Sequence, residues 1–476
     1  MPKTVNITQK LRPQNTNHYP WKLAGVLYFI AWGPSLLFLR ARFWDDWAIY
    51  FSMTPADQKN YWRGEGFPPY VHEVMNFMFR SSPAAYHLAS LSIYFCLGWL
   101  LFRILQKTNI CSPEIIQRVC LIFLILPINS ARHAMIILPY SVSVLLFFLA
   151  WNMLLSKNRF IAGSSLFVFV SSFYTASVIP FFILPIANYA YLEWKKTGSI
   201  TRRVIQKFSL LIVAPAYYLI IARAIWPPAE HRTAYFSPQL VGLIRASILI
   251  LVFSSVVVFL IRKSREGKIP QERTILLSVG MLSLGFGSVA YFASGRLVDL
   301  SEWISFFVPR SSSWDSRSQL LHGLGFALLI GGAIGALDTY LKTVGYKFVV
   351  AVCLILNFTF STGYYVDNLK QESMMQSFKE ENLEPNSIIM IRDNTNQFNA
   401  RGRNVRSYEW EAMILKATGL KKTVIDEAYV NCSPNAEVPD LFITINPGWG
   451  RLATLLRRDA GMEVSYDEIA PCKKSK

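Results

Sequence analysis

Runs of about twenty apolar residues recur from residue 21 to residue 365, and this repetition limits the fold more than any other feature. A helix needs about twenty residues to cross a bilayer core. A water-soluble chain would interrupt such runs with charge, yet charged residues make up only 16% here while 52% are hydrophobic. The expected class is therefore an all-α polytopic membrane protein. The runs place about eleven spans at 21–40, 84–106, 114–130, 134–155, 160–176, 177–194, 206–226, 238–262, 273–296, 318–341 and 346–365. A polar tail, residues 1–20, precedes them, and a polar unit, residues 366–476, follows. Pro127, Pro139, Pro180 and Pro185 lie near the two shortest hairpins, where they would bend or end helices.

Lysine and arginine orient the spans. With the N-terminus in the cytoplasm, the inner segments hold 21 Lys and Arg and the outer segments 12. The clearest clusters are Lys195-Lys196 with Arg202-Arg203, and Arg262-Lys263 with Arg265. Positive residues near span ends stay on the cytoplasmic side, so the C-terminal unit is expected outside. The net charge of +18 is in part this topological signal, and no basic–aromatic module points to nucleic acid. The N-terminal residues lack a cleavable apolar core, so the first span is expected to stay as an anchor. Of the six cysteines, only Cys432 and Cys472 fall in the C-terminal unit, where an oxidising compartment would permit a disulfide.

The loop after the first span, residues 41–83, carries the most unusual stretch, Phe43-Trp44-Asp45-Asp46-Trp47. Two adjacent carboxylates stand there among tryptophans, followed by Trp62, Tyr70, Phe77 and Phe79 with His72 and Glu73. Such a loop should fold into short amphipathic helices on the membrane. One reading of the acidic pair is a helix cap with a solvated neighbour, and the other is chemistry at the membrane surface. The second gains from cations expected on the outer side: Arg132 and His133, then Arg223, His231, Arg232 and Arg245, then Arg296, Arg310, Arg317 and His322. Ionisable groups close to apolar runs are costly and usually face a partner or a cavity. Arginine suits a lipid phosphate or diphosphate because its planar fork pairs the oxygens bidentately.

A carboxylate pair at the outer end of the first span, cations at the same level and a trailing polar unit together resemble the GT-C superfamily of membrane glycosyltransferases. The layout covers the whole membrane portion, and the specific motif is Asp45-Asp46-Trp47. The resemblance implies a sugar donor on a polyprenyl phosphate or diphosphate and a glycan or lipid acceptor. It implies that Asp45 or Asp46 is the catalytic carboxylate. Donor phosphate would then meet Arg310, Arg317, Arg132, His133, Arg232 and Arg245, and sugar or acceptor would meet Trp47, His72, Glu73 and Tyr174. The second outer hairpin offers Asn129, Ser130, Arg132 and His133 but no carboxylate, so a divalent metal, Mg or Mn, stays open. The implied place is the outer face of a bacterial inner membrane. Two alternatives stand beside it: a transporter or flippase of lipid-linked glycans, and a polysaccharide polymerase of the outer leaflet.

The C-terminal unit reads as a small α/β fold. A charged helix is expected over 367–382, a strand at 387–391, an amphipathic helix from Tyr408 to Ala417 stopped near Gly419, and a strand at 441–445. Arg401, Arg403, Arg406 and Asn394, Asn396, Asn399, with Tyr408 and Trp410, are a sugar-binding set or a solvated loop.

Overall fold

The computed structural model describes residues 18–64, 70–80, 82–175, 178–197, 240–294, 319–335, 339–380, 387–400, 403–426 and 439–468, with nine isolated positions between them. The fold is mostly helical and ends in a small mixed sheet. Helix α1, Trp21–Trp32, continues as a 3-10 turn over Gly33–Phe38. The following loop carries a π turn at Ala48–Ser52 and helices α2, Pro55–Gly64, and α3, Tyr70–Phe79. Then come α4, Pro83–Thr108; α5, Pro113–Ile125; α6, Leu138–Leu154; α7, Arg159–Ser172; α8, Val178–Phe181; and α9, Ile183–Thr197. Farther on are α10, Leu240–Arg265; α11, Gln271–Ala293; α12, His322–Ile334; and α13, Thr339–Glu380.

Among the described residues, six segments are long and apolar enough to cross a membrane: Trp21–Phe38, Pro83–Thr108, Met135–Leu154, Leu240–Arg265, Gln271–Ala293 and Tyr340–Glu380. They support a multi-pass membrane protein. The runs expected at 114–130, 160–176 and 318–341 form shorter helices. Helix α5 stops at Ile125, two residues before Pro127, and the chain then turns through 3-10 segments at Ser130–His133 and Met135–Ile137. The run at 177–194 is broken into α8 and α9, and the span expected at 206–226 lies almost entirely outside the described residues.

Packing between the helices relies on small residues and on polar ties to neighbouring backbone. The backbone carbonyl of Ala293 stands where a Cβ on Gly242 would go, at 2.4 Å, so only glycine lets α10 approach α11 there. Gly280 and Gly325 serve the α11–α12 contact in the same way. Trp32 donates to the Leu124 carbonyl at 3.0 Å, Tyr28 to that of Leu91 at 2.7 Å, and Asn357 to that of Ile125 at 2.6 Å. Each bond spends a buried polar group on a carbonyl in another helix, which fixes the helices' mutual rotation.

The last helix changes partner along its length. α13 has 42 residues, so it extends about 63 Å, roughly twice the thickness of a hydrocarbon core. Sequence alone divided it into a span and a separate charged helix, but no glycine or proline interrupts 364–380, and the helix runs on. Beyond Tyr365 its buried residues, Val366, Leu369, Met374 and Phe378, join a second core. That core includes strands β1, Ile388–Asp393; β2, Thr423–Asp426; β3, Leu441–Pro447; and β4, Met462–Glu468. Helix α14, Ser407–Thr418, lies between β1 and β2 in the chain, and the short α15, Arg451–Arg457, between β3 and β4. The sheet order is β2-β1-β3-β4, with β1 parallel to both neighbours and β4 antiparallel to β3. Gly419, at φ 74°, ends α14 in the left-handed conformation.

Trp47, from the first loop, is part of this second core. The first loop therefore packs against the C-terminal unit.

Candidate active site

The backbone between Trp44 and Asp46 separates the two aspartates. Trp44 takes φ 59°, a left-handed angle that a bulky residue adopts only under strain, at roughly 1–3 kcal/mol. Its ring is buried and meets Tyr364 of α13 edge-on at 5.8 Å, so packing holds the angle in place. The consequence is that Asp46 points inward and Asp45 points toward the C-terminal sheet.

Asp46 is fully buried and accepts backbone N–H bonds from Phe43 at 3.1 Å, Met135 at 2.9 Å and Ile136 at 2.9 Å. It staples the first loop to the 129–137 hairpin. Burial pushes its carboxyl up to about 7; the three amides act against that rise and the charge of Asp45 adds to it.

Asp45 remains partly exposed, with 22% of its side chain accessible. Its Oδ1 accepts from the Tyr408 hydroxyl and lies 3.8 Å from the Arg403 guanidinium. No partner reaches its Oδ2 among the described residues. Arg403 is itself shared: its Nη1 sits 2.5 Å from Oε1 of Glu409. Glu409 also closes the start of α14 by accepting from the Arg406 amide at 3.0 Å. Burial pushes the Glu409 carboxyl up to about 7 against the pull of Arg403. Desolvation works against the Arg403 charge, but Glu409 and Asp45 together hold its proton more firmly than usual.

A relay of buried polar groups fixes this junction. Trp47 Nε1 donates to Gln371 at 3.0 Å, Gln371 donates to Asp367 at 2.9 Å, and Asp367 accepts from the Ala400 amide at 2.6 Å. One turn along α13, the buried Lys370 bonds Asp393 at 2.6 Å and Asn399 at 2.7 Å. The loop that presents Arg403 is thus anchored to the same helix that holds Trp47.

The other sequence-derived candidates fall in different places. Trp47 is core, with Arg42 and Lys416 near its ring at 5.6 and 5.0 Å. His72 is buried against the Trp62 ring at 3.7 Å and shares hydrogen bonds with Tyr50 and Tyr174. Burial lowers its pKa well below the usual value. Tyr174 is buried, and Glu73 pairs with Lys59 on α2 at 2.7 Å. Arg132 is buried with its guanidinium on the rings of Trp32 and Tyr94, at 3.0 and 4.4 Å. His133 packs on Tyr364 at 4.6 Å. Arg245 is half-buried on α10. Arg223, His231, Arg232, Arg296, Arg310, Arg317, Cys432 and Cys472 lie outside the described residues.

Beside the junction, a cavity of about 340 Å³ opens at the carboxyl ends of β1 and β2. Asn394, Asn396, Asn404 and Ser407 supply much of its polar wall. Ligands of doubly wound α/β folds bind at this edge, where strands end and a helix begins. Asn404 and Ser407 directly adjoin Arg403 and Tyr408 in the chain, so the cavity is next to Asp45's partners. Arg403 and Tyr408 had no signal as partners of Asp45, since more than 350 residues intervene. Among the described residues, no group of three or more His, Cys, Asp and Glu side chains is placed to hold a metal ion. No protein-family model, curated protein or solved structure matches this chain.

Proposed function

We propose that the chain is a GT-C-like membrane glycosyltransferase. It takes a sugar from a polyprenyl-phosphate-linked donor and passes it to a glycan or lipid acceptor at the outer face of a bacterial inner membrane. The observation that carries this reading is Asp45: a partly exposed carboxylate with one oxygen held by Tyr408 and Arg403 and the other open.

The chemistry follows from that arrangement. Oδ2 of Asp45 takes the proton of an acceptor hydroxyl as that oxygen bonds to the anomeric carbon. The bond from the anomeric carbon to the donor's phosphate oxygen breaks, and the polyprenyl phosphate leaves with the electron pair. Tyr408 and Arg403 orient the base from its other oxygen. Cations stabilise the leaving phosphate. Arg310 and Arg317 keep that role from the sequence, and Arg42 and Lys416 bring charge to the same junction, neither making an ion pair among the described residues. The polar cavity beside α14 suits the acceptor, because its amides and hydroxyl can bond sugar hydroxyls.

Membranes containing the protein should form a labelled product from polyprenyl-linked sugar donors and a native lipid extract, and membranes lacking it should not. Movement of the intact lipid-linked donor between leaflets, with no new glycosidic bond, would replace the transferase with a transporter.

A further inference from the structure

The short helix α15 exposes an apolar pair that the second core leaves uncovered. Its buried residues are Thr454 and, in part, Leu455, which pack on the sheet side. Leu452 and Leu456, one turn apart, are 72% and 78% exposed. Arg451, Arg457 and Arg458 surround them, and Arg457 lies 4.4 Å from the Trp449 ring. An aliphatic pair bordered by arginine and tryptophan has the chemistry of an interfacial membrane element.

The position of α15 on the fold agrees. Along α13, Phe348, Val352, Ile355 and Phe358 form an exposed apolar stripe at helical spacing, the face that a span turns to lipid. Gly363 follows five residues beyond Phe358 on α13, and a Cβ built there would lie 3.8 Å from the Arg451 guanidinium. Arg451 thus lies beside α13 just beyond the C-terminal end of that stripe.

We infer that α15 docks the C-terminal unit on the leaflet surface, with Leu452 and Leu456 entering the headgroup–acyl boundary and Arg451, Arg457 and Arg458 meeting lipid phosphates. This inference depends on the multi-pass reading alone and stands whether or not the protein transfers sugar. Its consequence is a fixed height for the sheet above the bilayer, so that the Asp45–Arg403 junction stays at headgroup level.

The test uses the full chain in nanodiscs holding one copy each. An environment-sensitive label is placed at Leu456→Cys and, separately, at Lys379→Cys, with the unsubstituted protein as background for native cysteines. Lys379 lies sixteen residues beyond Gly363 on α13, about 24 Å farther along the helix. Lipids bearing a shallow nitroxide should quench the label at 456 several-fold more than that at 379. Arg457→Glu with Arg458→Glu should reduce the quenching at 456 when the lipids are anionic. Equal quenching at both sites would overturn the inference. So would a label at 456 shielded from aqueous iodide but untouched by nitroxide lipid, because protein would then cover the face.

Discussion

Asp46 has both oxygens on backbone amides that tie two loops together, while Asp45 keeps one oxygen open. The two carboxylates therefore answer to different measurements. Asp46→Asn places an amide NH₂ against backbone donors, and should lower stability by about 1–3 kcal/mol, read as a lower melting temperature in detergent. Asp46 and Glu409 also set a pH dependence. Both carboxyls are raised by burial to about 7, from ordinary values of 3.8 and 4.5. The folded state holds these protons more tightly than the unfolded chain. Their contribution is full below the ordinary values and is lost as pH rises through about 7. Melting temperature should fall between pH 5 and pH 8, and Asp46→Asn or Glu409→Gln should flatten that slope. The sequence singled out the Asp45-Asp46 pair but not the division between its members. That division is set by the left-handed angle at Trp44, which depends on the packing of Tyr364 more than three hundred residues away.

At the scale of elements, apolar periodicity was enough to find the long helices and the central strands. It recovered α14 nearly to the residue, because Gly419 marks its end. It missed β2 and β4, short strands rich in Thr, Asp, Glu and Ser, whose order comes from pairing with β1 and β3. It also overestimated α5 and α7, where hairpin residues are apolar without being helical, and it merged α12 with the first residues of α13. Two substitutions test the contacts that fix elements to each other. Gly242→Leu forces a side chain onto the carbonyls of Phe292 and Ala293 and should cost about 1–3 kcal/mol as α10 and α11 separate. Arg403→Ala leaves Glu409 buried beside an absent cation. It should destabilise the C-terminal unit by about 3 kcal/mol, visible as faster hydrogen exchange in α14. Glu409→Gln in the same background should recover part of that loss.

For the whole molecule, the first loop, the 129–137 hairpin and the C-terminal sheet meet on one side, around Asp46, Trp47 and α13. The basic side chains Lys107 and Lys195 bond carbonyls at Asn152 and Asn109, at helix ends away from that junction. The docking of the loop into the sheet's core was not legible, because among the described residues Trp47 and Phe51 carry it and both read equally well as interfacial aromatics. Cysteines placed at Lys59 and Lys421 should react with an impermeant reagent from the same face of sealed vesicles. Reaction from opposite faces would break the shared junction apart.

The most direct measurement is the rate of sugar transfer by Asp45→Asn beside wild type and Asp46→Asn, in matched membranes and normalised to inserted protein. Removal of a general base predicts a loss of about 100-fold or more for Asp45→Asn. Asp46→Asn should retain transfer in proportion to the protein that stays folded. Asp45→Asn transferring at the wild-type rate would contradict the account, leaving Asp45 a docking contact between the first loop and the C-terminal unit.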